Sequence, residues 1–154
     1  NRVTEAEVAN WVAEGTLTHH GMVRDVAAAL RDKHVFVLPT WYREGVPHAT
    51  LEALSMGRAI ITTDSVGARE TVRADRNGFL VPTRDVGAVV TAMERYLAAP
   101  QLAIRHGAES RRLAEEVFDV RLVNRQILEA MGLPAELPHP EVNPLPALAA
   151  CPAP

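Results

Sequence analysis

Residues 35–64 read VFVLPTWYREGVPHATLEALSMGRAIITTD, and the fold turns on how this stretch divides. Val35-Phe36-Val37-Leu38 is a continuous β-prone run ended by Pro39, the pattern of a strand covered on both faces. Ala59-Ile60-Ile61-Thr62 repeats that pattern, and the intervening Ala49 to Met56 carries a helical apolar stripe stopped by Gly57. A strand, a helix and a strand in such quick succession predict a parallel pair joined by a right-handed crossover.

Working outward, the same alternation continues. A turn at Gly67, a short helix near Ala68 to Val72 and a strand over Gly78 to Val81 follow. After Pro82 the pattern is helical: Asp85 caps Val86 to Leu97, a second helix runs from Gln101 to Glu116, and Asp119 caps a last one ending at Gly132. Upstream, Thr4 and Glu7 form a capping box for a helix over 4–14, with Val8, Trp11 and Val12 on one face and Gly15 as its stop. A strand over Thr16 to His19, a turn at Gly21 and a helix over Val26 to Leu30 beginning near Asp25 complete the reading. The fold class is therefore α/β: a Rossmann-like parallel sheet with flanking helices. Its ligand side lies at the carboxyl ends of the strands, just after His19, Leu38 and Thr62.

The remainder of the composition sets bounds. The chain has 154 residues with 47% hydrophobic and 23% charged positions, as an ordinary globular core requires. The formal net charge of −3 offers no basic field for nucleic acid. Cys151 is the one cysteine, which excludes an internal disulfide and a cysteine-based zinc cluster and points to a reducing compartment. Seven of eleven prolines fall between Pro134 and Pro154, so the domain is expected over 1–133 and an extended, disordered tail over 134–154. The chain opens on Asn1 and shows neither an apolar span nor a leader, an opening that suggests lost upstream sequence.

The chemistry gathers after Leu38. Glu44 and Glu52 flank a glycine-containing loop that opens a helix. A carboxylate accepts through two oxygens and suits the paired hydroxyls of a vicinal diol. The helix start between them offers free amides and a positive dipole end, a seat for phosphate. With 13 glutamates in the chain, about one pair spaced by eight arises by chance, so the context carries the signal rather than the spacing. Blander uses exist for each residue. Glu52 can be a solvated helix charge, Glu44 a surface partner of Arg43, His48 a cap or an idle side chain, and Trp41 and Tyr42 packing beneath the loop. His19 and His20 end a strand with no third metal ligand at recognisable spacing.

The stretch Arg43-Glu44-Gly45-Val46-Pro47 through Leu51-Glu52-Ala53 resembles the E-x7-E motif of family 4 retaining glycosyltransferases of the GT-B fold, in their exopolysaccharide and capsule branch. The resemblance is collinear from Val35-Phe36-Val37-Leu38-Pro39 through Met56-Gly57-Arg58, Ile61-Thr62-Thr63-Asp64 and Gly67-Ala68-Arg69-Glu70-Thr71-Val72 to Asn77-Gly78-Phe79-Leu80-Val81-Pro82. It covers about Val3 to Leu133.

That resemblance implies the carboxyl-terminal, donor-binding part of an enzyme that transfers a hexose, with retention, from a nucleoside diphosphate sugar, a UDP-sugar by expectation. Glu44, the catalytic assignment, would bind donor-sugar hydroxyls and Glu52 the ribose diol. Amides around Gly45, Val46, His48 and Ala49 would face sugar or diphosphate, and Gly21 to Val23 would lie against the base. Gly67 would let its backbone approach the ligand. Pro47 departs from the commoner glycine and donates no amide. The family needs no metal or other cofactor.

The acceptor, a polysaccharide or lipid-linked glycan, would meet an amino-terminal domain absent here, as are the cations that neutralise the leaving diphosphate. The fragment alone is then expected to be inactive. A cytoplasmic location follows, with the inner membrane face and peripheral association open to the full-length protein. In strand order 3-2-1-4-5-6 this chain keeps strands 3 to 6, so the Thr16 to His19 strand is expected to pack poorly or pair outside its family position. The rival from another class is a catalytically inactive nucleotide-sugar-binding remnant, and a nucleotide-sugar epimerase is a third reading.

Overall fold

The computed structural model describes residues 3–134; most of the proline-rich tail expected over 134–154 lies outside the described residues. The chain divides into two compact units, Asn1–Glu116 and Val117–Pro154. The first unit holds a three-stranded parallel sheet, β1 Val35–Leu38, β2 Ala59–Thr63 and β3 Gly78–Val81, in the order β1-β2-β3. Its helices are α1 Glu5–Ala13, α2 Val26–Leu30, α3 His48–Ser55, α4 Val86–Ala98 and α5, which runs from Pro100 to Val117 at the boundary; a 3-10 turn spans Ala68–Thr71.

Burial explains the order. Every residue of the central strand β2 is buried, because it has a strand on each side and a cover on each face. Register pairs Ile61 with Val37 and Phe79, and Thr63 with Val81. Side chains alternate across a strand, so Ala59, Ile61, Phe79 and Val81 share one face, where they pack with Ala92, Tyr96 and Ala103 of α4 and α5. The opposite face is covered by α3 and the 3-10 turn. In α3, Thr50, Ala53 and Leu54 are buried at i, i+3 and i+4. Gly78 opens β3 where a Cβ would collide with the backbone of Ile60 in β2.

The predicted caps are present. Thr4 and Glu7 form the reciprocal capping box of α1, Asp25 accepts from the Ala28 amide at 2.9 Å, and Asp85 accepts from the Ala88 amide at 2.8 Å.

The expected strand over Thr16 to His19 is not formed: residues 17–20 have no regular structure and pair with no strand. A strand persists only when a neighbour takes its amides and carbonyls, and these residues have no strand partner among the described residues. His19 instead borders a depression against Val8 and Val12 of α1, a helix that buries none of its residues.

The second unit contains α6, Val120–Ala130, capped by Asp119, whose carboxylate accepts from the Arg121 amide at 2.8 Å. Gly132 follows at φ +69°, the left-handed residue of a helix stop.

Candidate functional site

Helix α3 starts without a side-chain cap. Pro47 stands at its N-cap, and its carbonyl accepts from the amides of Thr50 (3.0 Å) and Leu51 (3.2 Å). The amides of Gly45, Val46, His48 and Ala49 have no hydrogen-bond acceptor among the described residues. The run therefore presents four open donors at the positive end of a helix, interrupted by Pro47, which has none. The exposed face of α3 carries His48, Ala49 and Glu52, so the Glu52 carboxylate stands one turn beyond the free amides. Glu52 and Glu44 are both exposed, and neither carboxylate has a partner among the described residues. Two unengaged carboxylates thus bracket an amide cluster at the carboxyl end of β1.

Gly67 is brought to the same place. It sits at φ +81°, and a Cβ there would land on the carbonyl oxygens of Glu44 and Gly45. Its close approach is to the loop itself, so Gly67 seats the Glu44–Gly45 peptide against the segment that follows β2. Gly45, by contrast, has open space where a Cβ would project.

Hydroxyls tie this end of the sheet together. Thr62 Oγ1 donates to the Leu38 carbonyl at 2.8 Å, and Thr63 Oγ1 donates to the Thr40 carbonyl. The chain leaving β1 is thereby pinned to β2 just before the candidate loop. Two more hydroxyls nearby, Thr50 Oγ1 in the first turn of α3 and Ser65 Oγ after β2, are buried without a partner among the described residues. Buried hydroxyls without partners are uncommon. Sequence reasoning missed both, because Thr50 reads as an ordinary helix residue and Ser65 as an ordinary turn residue.

Gly21, at φ +61° with open space around it, and Val23, 39% exposed, belong to the irregular segment between α1 and α2. No hydrogen bond among the described residues joins them to the 44–52 loop. Arg69 is engaged with Asp64 through an ion pair at 3.1 Å. Trp41 and Tyr42 stack on one another with centroids 5.4 Å apart and are 50% and 66% exposed, so neither is packing beneath the loop. No three His, Cys, Asp or Glu side chains among the described residues are grouped to hold a metal ion, and no described helix is long and apolar enough to cross a membrane.

A parallel sheet with flanking helices is the architecture of a GT-B glycosyltransferase domain. The chain belongs to the family described as glycosyl transferases group 1, whose model matches residues 2–99. It is 30% identical over 109 residues to the capsular polysaccharide biosynthesis glycosyltransferase CapM of Staphylococcus aureus, an alignment covering 71% of this chain and 28% of that one. It is 35% identical over 75 residues to the UDP-Gal:alpha-D-GlcNAc-diphosphoundecaprenol alpha-1,3-galactosyltransferase of Escherichia coli, covering 49% of this chain and 19% of the other. Among solved structures, Anabaena HepE in complex with UDP superposes with a TM-score of 0.75 at 19% identity, over 82% of this chain and 35% of HepE. The chain thus spans about a third or less of the length of these three proteins.

Proposed function

We propose that this chain is the donor-binding part of a family 4 retaining glycosyltransferase that moves a hexose from a UDP-sugar to a polysaccharide or lipid-linked glycan. The observation that carries the reading is the set of unpartnered amides at Gly45, Val46, His48 and Ala49, bracketed by the unengaged carboxylates of Glu44 and Glu52. Diphosphate is assigned to those amides, the ribose diol to Glu52, and hydroxyls of the transferred sugar to Glu44, the catalytic-site carboxylate. Each pairing matches a donor set to an acceptor set in charge and number. Gly21 to Val23 is assigned to the base, and Gly67, whose bare face meets the Glu44–Gly45 loop, to close backbone approach at the same ligand. The bound UDP of HepE and the polysaccharide role in the name of CapM support the choice of donor and product class.

In this reading charge growing on the leaving diphosphate is met by oriented amides, which need no reorganisation as the bond breaks, and no metal is assigned. Turnover belongs to a protein that also carries an acceptor domain, working on the cytoplasmic side at the inner membrane face, with residues 1–133 as the donor part. Amide-resolved NMR of the 154-residue chain tests the assignment. On adding UDP, the resonances of Gly45, Val46, His48 and Ala49 should move together, with Leu97 and Ile104 unmoved. A folded chain whose four amides do not respond would contradict it.

A further inference from the structure

Helix α4 is apolar well beyond the face it buries. Ala88, Val89, Ala92 and Tyr96 pack with residues of β2 and β3, as a core helix requires. A second apolar set, Val86, Val90, Met93 and Leu97, is exposed. At 100° per residue these four fall within an arc of about 60°, and the stripe from Val86 to Leu97 runs about 16 Å. Beside it stand the small Gly87 and Ala98, with Glu94 as the nearest charge. A surface helix ordinarily carries one apolar stripe and a polar opposite face. A second, uncovered stripe marks a surface for another element.

Spacing, symmetry and charge together say what covers it. Steps of four, three and four residues are the seam of a packed helix pair, in which each side chain fills a hole on the facing helix. The stripe is also symmetric about its midpoint: its outer members, Val86 and Leu97, are 76% and 80% exposed, and its inner members, Val90 and Met93, are both 46% exposed. An antiparallel copy of α4 therefore matches it, Val86 against the partner's Leu97 and Val90 against the partner's Met93. At the carboxyl end of α4 the carbonyls of Tyr96, Leu97 and Ala98 accept no hydrogen bond among the described residues. At the other end Arg84, held at φ +62°, has no acidic partner among the described residues, and the Asp85 carboxylate is taken by the Ala88 amide. Antiparallel order brings each cationic end to the partner's open carbonyls, and opposed helix dipoles favour it. We propose that the Val86–Val90–Met93–Leu97 stripe is the interface of a two-fold dimer between copies of this chain. One helix pair of three turns lies at the small end of specific interfaces, so the dimer is weak, with a dissociation constant between about 1 μM and 1 mM. Helices α4 and α3 cover opposite faces of the sheet, and the seam rests on no reading of the 44–52 loop.

Sedimentation equilibrium of the 154-residue chain from about 10 μM to about 1 mM tests the proposal. The mean mass should rise from the monomer value toward twice that value. Val90→Glu and Met93→Lys should each hold the protein at the monomer mass with far-UV circular dichroism unchanged. Leu97→Lys, at the most exposed position of the stripe, repeats the disruption where folding is least at stake. Mixing the Val90→Glu and Met93→Lys proteins should restore the dimer, because the register sets the new carboxylate against the new ammonium. Ile104→Lys, at an exposed apolar position of α5 outside the stripe, should dimerise as the unmodified chain does. A constant monomer mass up to about 1 mM overturns the proposal and leaves the stripe to another segment or protein. Undiminished dimerisation in the stripe variants puts the contact elsewhere and overturns it too, and a mixture that stays monomeric overturns the antiparallel register.

Discussion

Gly67 packs against the carbonyl oxygen of Glu44, so the position of the loop carboxylate is decided from a residue 23 places away, after the next strand. Two conditions meet at Gly67: a left-handed backbone at φ +81° and no room for a side chain. Gly67→Ala should therefore cost about 1–2 kcal/mol for the backbone and about 1–3 kcal/mol for overpacking, and should weaken UDP binding as the loop is displaced. Gly21→Ala is the control, since Gly21 has a positive φ of +61° but open surroundings. It should carry the backbone cost alone, read from urea midpoints of the two variants.

Asn77 stitches the lower end of the sheet. It is 1% exposed; its amide donates to the Thr71 carbonyl at 3.0 Å and to Ser110 Oγ at 3.3 Å, and its Oδ1 accepts from the Arg73 amide at 2.7 Å. Asn77→Ala leaves buried groups unpaired, each costing about 1–3 kcal/mol. A loss of at least about 2 kcal/mol by urea denaturation is expected, with far-UV circular dichroism retained below the transition.

His106 makes stability depend on pH. The ring is 4% exposed, and its Nδ1 lies 2.8 Å from the Tyr96 hydroxyl. Burial, and then the Arg105 charge, hold its pKa below the ordinary histidine value, against a smaller opposing pull from Asp75. The unfolded chain therefore takes up a proton that the folded chain refuses. Stability from this group is present above the unfolded value of about 6.5 and falls as pH drops toward the lower folded value. The urea midpoint should decline between about pH 7 and pH 5, and His106→Gln should flatten that slope while lowering stability at neutral pH. An identical slope in the variant would contradict this assignment.

Much of this was legible in the sequence, and the exceptions have physical reasons. β1, α3 and β2 were readable because a fully buried strand needs an unbroken apolar run and a covering helix needs a 3–4 spacing, and VFVL, Thr50-Ala53-Leu54 and AII satisfy both. The two glutamates flanking a glycine-containing loop were visible in the sequence itself, whereas the missing side-chain cap of α3 was not, since His48 could have been read as one. Thr16 to His19 misled because strand formation depends on a partner that local pattern does not report. Gly67 announces a turn, yet nothing local says that its bare face meets Glu44. Arg84 gave no signal at all: Thr83-Arg84-Asp85 contains neither glycine nor asparagine to announce a left-handed residue.

The donor-site account rests on Glu52 and the amides before it acting on one ligand. Isothermal titration of UDP into the 154-residue chain, beside Glu52→Ala, tests this most directly. The account predicts measurable binding to the unmodified chain and at least about ten-fold weaker binding to the variant, as loss of a hydrogen bond to a charged group implies. Equal affinities and heats for the two folded proteins would contradict it.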